Sequence, residues 1–85
     1  MPELARFDGI IIRLYAEAGG QHHTPHFHAY YSEARAVYAI SPLELMEGEL
    51  PNAQHHKVMR WAAKHQRELQ NAWDDLQAGR TIRKI

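Results

Sequence analysis

From Ala53 to Ala78 the chain holds neither glycine nor proline, and its alanine, glutamine, leucine and arginine favour helix. Val58, Ala62, His65, Leu69, Ala72, Trp73 and Leu76 recur there at three- and four-residue steps, one continuous apolar stripe. Pro51-Asn52 starts the segment, with Asn52 placed to cap free backbone N–H groups, and Gly79 is suited to end it. The pattern predicts one long helix over about 53–78, its stripe turned to a core, followed by a short basic tail.

Upstream the pattern changes to short strands. Gly9-Ile10-Ile11-Ile12-Arg13-Leu14-Tyr15 is β-branched and aromatic and reads as the first. Gly19-Gly20 breaks it. Phe27 to Tyr31 reads as the second, with Phe27, Ala29 and Tyr31 on one face and His26, His28 and Tyr30 on the other. Ser32-Glu33 turns into a third, Ala36 to Ile40, and Ser41-Pro42 into a weaker, acidic fourth, Leu43 to Leu50. Short connections favour antiparallel neighbours. The expected class is α+β: a four-stranded antiparallel sheet with one long C-terminal helix packed on one face.

Eighty-five residues make a single domain, residues 1–85. A chain this short buries only about 60–65 % of its unfolded surface, so a homodimer, or a partner covering the second sheet face, is expected. The absence of cysteine excludes disulfides, thiolate zinc sites and cysteine nucleophiles. Ile10-Ile11-Ile12, the longest aliphatic run, is far below the ~20 residues of a membrane helix, and the first eight residues have no apolar signal core. A soluble cytoplasmic protein is expected. Charge is uneven: residues 1–56 carry three basic and seven acidic side chains, residues 57–85 seven basic and three acidic. Such asymmetry suits an anionic partner or a self-complementary dimer.

Arg6-Phe7-Asp8-Gly9-Ile10-Ile11-Ile12-Arg13, then Pro25-His26-Phe27-His28, then Glu47-Gly48-Glu49-Leu50-Pro51, then Trp61 with His65 and Trp73, form a recognisable series. Over nearly the whole chain it resembles the small bacterial proteins grouped as domain of unknown function 4160. In that family a histidine typically stands four residues before the first histidine of the Pro-His-Phe-His element, here His22. A proline usual before Pro25 is replaced by Thr24, and His23 is an additional histidine. The resemblance implies no settled activity. It implies a context, partnership in a toxin–antitoxin-like gene pair, with a cognate protein encoded next door.

Four of the seven histidines fall between Gln21 and His28. Imidazoles titrate near neutral pH, ligate metals and bind phosphate. His26 and His28, two apart on a strand, point the same way, and His22 could swing back from the loop. That trio suits zinc or nickel with an open position for water, although no cofactor is required. The same cluster suits metal-free RNA cleavage, which needs a general base, a general acid and positive charge on the phosphate. His26 and His28 would share the proton transfers, with Arg13 on the adjacent strand at the phosphate. The chain offers no carboxylate pair, Ser–His–Asp order or glycine-rich phosphate loop as a rival.

Lys57, Arg60, Lys64 and Arg67 lie on the helix face away from the stripe and, with Arg80, Arg83 and Lys84, could contact nucleic acid or a protein partner. A solvated face with Lys64–Glu68 pairing is the simpler explanation of them, and zero net charge argues against strong nucleic-acid binding. His65, on the stripe, reads as a hydrogen-bonded core residue, and Trp61, Trp73 and Leu76 as core. His55 and His56, in the first helical turn, read as neutral and structural. Three functions therefore stand side by side: a toxin–antitoxin-like component acting on or through RNA, a histidine-cluster metal binder, and a dimerising interaction module.

Overall fold

A computed structural model of the chain describes residues 3–16 and 24–85. The sheet has five strands in simple sequence order, each antiparallel to the next: β1 (Glu3–Phe7), β2 (Ile10–Arg13), β3 (His26–Tyr31), β4 (Ala34–Ile40) and β5 (Leu43–Glu49). The α+β class and the antiparallel pairing agree with expectation, but the sheet has a strand more than the four foreseen. β1 joins β2 through Asp8-Gly9, with φ of 49° and 78°. Positive φ at both positions is the two-residue hairpin geometry that matches strand twist, and Asp-Gly is among the pairs best suited to it. Asp8-Gly9 is the local signal for that turn, and the charged Glu3 and Arg6 in so short a segment hid the strand.

Every second residue of the central strands faces the helices. Ile10, Ile12, Phe27, Ala29, Ala36, Tyr38 and Ile40 are buried on that face and meet Val58, Ala62, Leu69, Ala72 and Trp73. Phe27 and Ala29 thus face the stripe as expected. Among the described residues no polar or charged side chain other than a tyrosine's is buried.

The single long helix is two: α1 (Asn52–Lys64) and α2 (Gln66–Gln77). The break is one residue, His65, at φ −114° and ψ 22°, whose N–H is shared between the carbonyls of Trp61 and Ala62. Neither glycine nor proline causes it. α2 is instead tied to the end of the sheet, where the Gln66 side chain donates to the Ile40 carbonyl and that of Gln77 to the Tyr15 carbonyl. A straight continuation of α1 could not keep its stripe on the sheet face and also cover that end. His65 consequently leaves the core. Its side chain is 30 % exposed and its Nδ1 pairs with Glu68 Oε1 at 2.5 Å, so Glu68 serves His65 rather than Lys64.

The helix ends also differ in detail. Pro51 occupies the N-cap position and Asn52 is already helical, with no side-chain cap. At the other end Gly79, φ 81°, follows Ala78. The Gly79 N–H bonds the Leu76 carbonyl and the Arg80 N–H the Asp75 carbonyl, the two bonds of a Schellman ending. The segment beyond is strapped to β1: the Ile85 N–H donates to the Leu4 carbonyl, and Ile82 and Ile85 pack on the core.

Tyr38 is fully buried, stacks on Phe27 at 5.3 Å, and shares a 2.9 Å hydrogen bond with His55 Nδ1. Burial pushes its phenol up to about 12. A raised folded-state value holds the proton more tightly than in the unfolded chain. That stability is complete below about pH 10, the ordinary phenol value, and is lost as pH rises toward 12. Tyr38→Phe should cost about 1 kcal/mol at pH 7, the lost hydrogen bond. It should also flatten the fall in stability between pH 10 and 12, read by urea unfolding across pH.

Candidate functional site

The face of the sheet turned away from the helices carries the chemistry. Register sets its rows: Arg13 pairs with His28, His28 with Val37 and Val37 with Glu47, while Ile11 pairs with Tyr30, Tyr30 with Arg35 and Arg35 with Glu49. Residues directly paired across antiparallel strands share a face. A shallow concavity of about 580 Å³ lies there, lined by Tyr15, His26, His28, Tyr30, Arg35 and Glu47, with Val37 and Met46 as its apolar part.

The rings are in mutual contact. His26 and His28 centroids are 5.4 Å apart. Tyr15 meets His28 edge-on at 4.7 Å, and Tyr30 lies nearly parallel to His28 at 6.4 Å. The Tyr15 and Tyr30 hydroxyls close the group with a 2.7 Å hydrogen bond, leaving His28 flanked by two phenols. His26 Nδ1 lies 2.7 Å from the Thr24 carbonyl oxygen. A carbonyl can only accept, so Nδ1 carries the proton and the lone pair of the neutral ring is on Nε2. On its other side His26 tilts against Trp73 at 5.0 Å. Trp73 is a core residue as expected, and it backs the His26 ring from the core side.

Electrostatics agree with the rows. Burial raises the Tyr15 phenol above its ordinary value, and the bond to Tyr30 adds to that, while Arg13 and Arg35 pull it down. Both guanidinium groups therefore act on the Tyr15 phenol. Sequence reasoning had singled out His26, His28 and Arg13, and the sheet brings all three to one face. It had missed Tyr15, Arg35 and Glu47, although counting back from the Ser32-Glu33 turn places Arg35 beside Tyr30.

His22, the third member of the expected metal trio, lies outside the described residues, as does His23. Among the described residues no three histidine or carboxylate side chains gather as a metal site. The cations foreseen for an anionic partner do not share one surface. Lys57, Arg60 and Lys64 line a groove beside Phe7 and Trp61, while Arg83 and Lys84 line another between α2 and the C-terminal segment. Arg67 is exposed on α2. Arg80 pairs with Asp75 at 2.8 Å, and Lys84 with Glu3 at 3.5 Å. Arg6 hydrogen bonds, helped by Lys84, hold the Glu3 carboxyl down at about 2. No described helix is long and apolar enough to cross a membrane.

A five-stranded meander with a bent helix on one face and a histidine–tyrosine–arginine cluster on the other defines a small α+β protein with an open, polar sheet face. The family model for Domain of unknown function (DUF4160) matches residues 9–74, and the chain belongs to that family. No curated protein and no solved structure matches it.

Removing the Tyr15 hydroxyl should show in the phenol titration. In the folded protein Tyr15 and Tyr38 should ionise above the ordinary phenol value. Tyr15→Phe should remove one high-pH step from the ultraviolet titration while the Tyr38 step stays.

Proposed function

We propose that this protein is one component of a toxin–antitoxin-like pair that acts on RNA, and that the open sheet face is where RNA is held. The observation that carries the reading is the His26–His28 pair, 5.4 Å apart, in register with Arg13 and beside Arg35. Aromatic and imidazole rings suit unstacked bases, and guanidinium groups suit phosphate. In cleavage, one neutral imidazole takes the proton from a 2′-hydroxyl as that oxygen attacks phosphorus. The other, protonated, gives its proton to the departing 5′-oxygen, and Arg13 offsets charge on the phosphorane. His26, with its lone pair on Nε2, is suited to the base role.

Untagged protein should cleave single-stranded or loop RNA in EDTA. The rate should follow a bell in pH with both limbs between about 5 and 8, where imidazoles ordinarily titrate. His26→Ala and His28→Ala should each cost on the order of a hundredfold, and Arg13→Ala should slow cleavage with the fold intact. A double-histidine variant cutting as fast as wild type would show the activity to be a contaminant.

A second reading is favoured by the Thr24 carbonyl on His26 Nδ1, the kind of contact that orients a metal-binding imidazole. In this reading His26 and His28 would hold a zinc or nickel ion together with His22, which lies outside the described residues. Calorimetry on metal-stripped protein should then give submicromolar binding that His26→Ala or His28→Ala abolishes and His56→Ala leaves intact, on the order of what three imidazoles supply. Equal weak binding by all variants would leave only adventitious chelation.

A further inference from the structure

On the helix side, between the β1–β2 hairpin and α1, lies a second shallow groove of about 320 Å³. Its apolar wall is Trp61, half-buried and stacked against Phe7 at 5.3 Å. Its charged wall is Lys57, Arg60 and Lys64, which the three- and four-residue steps of α1 align on one side. The charges are unbalanced. Lys57 meets Asp8 at 3.5 Å, whereas Arg60 and Lys64 have no ion-pair or hydrogen-bonding partner among the described residues. His65, at the rim, is occupied by Glu68.

A solvated basic helix face would carry the same cations with no aromatic wall beside them. Here positive charge in excess of its one paired carboxylate borders a half-buried indole, which Phe7 contacts at 5.3 Å and His65 at 5.2 Å. That combination fits an anion of high charge on a flat, apolar body. A guanidinium matches phosphate oxygens in pairs, ammonium groups add point charge, and a nucleobase supplies the flat body for Trp61. We propose that this groove binds a nucleoside monophosphate, either free or as the 5′-phosphate end of an RNA strand. The site is separate from the histidine face and does not depend on the reading given for it. Asp8 opposes the phosphate and occupies Lys57, so it limits affinity.

Trp73→Phe leaves Trp61 as the single indole. Emission of that variant is followed while adenosine monophosphate, inorganic phosphate, or 5′-phosphorylated and 5′-hydroxyl RNA trinucleotides are added. The nucleotide should give a saturable change, inorganic phosphate a weaker one, and the 5′-hydroxyl trinucleotide none. Tighter binding of the phosphorylated trinucleotide than of the mononucleotide assigns the groove to a strand end, and the reverse order to a free nucleotide. Arg60→Ala and Lys64→Ala should each weaken binding roughly tenfold, the usual scale for one charge-assisted hydrogen bond. Asp8→Asn should tighten it by removing the opposing charge and releasing Lys57, while asparagine keeps the left-handed turn conformation. His26→Ala should leave it unchanged, which separates this site from the sheet face. Calorimetry on the wild type repeats every arm should Trp73→Phe fold poorly. Binding that ignores Arg60 and Lys64, or nucleotide and inorganic phosphate binding alike, overturns the proposal.

Discussion

The structure depends on an aromatic column between sheet and helix. Phe7 stacks on Trp61, Trp61 meets Phe27 edge-on at 6.2 Å, Phe27 stacks on its cross-strand partner Tyr38, and Tyr38 reaches His55. These contacts join β1, β3, β4 and α1 in one continuous packing, and large aromatic surfaces dominate the energetics of so small a core. They also decide orientation. With Phe27 committed to the helix side, strand alternation sends His26 and His28 to the other face, since a one-residue slip would exchange the two sets.

The break at His65 follows from a competition between two surfaces. α1 covers the sheet face through Val58 and Ala62, and α2 covers the sheet end through Leu69, Ala72 and Trp73. The ladder survives the bend, because the Leu69 N–H still reaches the His65 carbonyl at 2.8 Å. The cost is one shared, longer hydrogen bond at His65. In return the carbonyls of Tyr15 and Ile40 at the strand ends receive glutamine donors. Covering the sheet end also brings Trp73 to His26, so a core residue supports the polar face directly. A change at Trp73 would therefore reach the site as well as the core.

The two sheet edges are treated differently. β1 is partly covered by the C-terminal segment, whereas β5 is open and carries Leu45 and Met46, the exposed large hydrophobics among the described residues. Glu44, Glu47 and Glu49 interleave with them. An extra residue in β5 at Met46 disturbs the pairing with β4, and Gly48, φ 71°, sits where a Cβ would collide with the Arg35 carbonyl oxygen. Charge and a bulge are devices that discourage edge-to-edge association, and the like charges oppose pairing of two β5 strands. Three of the seven acidic side chains of residues 1–56 thus lie on this edge.

Much of this was legible in the residues. Alternation in Phe27–Tyr31 gave the buried face, the turns at Ser32-Glu33 and Ser41-Pro42 gave the pairing, and the Pro-His-Phe-His element pointed to the family that the match over residues 9–74 bears out. The sequence determined these because period-two patterning and turn chemistry are local. Tertiary structure decided the rest. β1 exists because a hairpin returned Leu4 and Ala5 to the core, and the helix bends because a sheet has an end as well as a face. Tyr15 and Arg35 join His28 because three strands lie side by side. Residues 15, 28 and 35 are distant in the chain, and only strand register, stabilised by packing on the opposite face, brings them together.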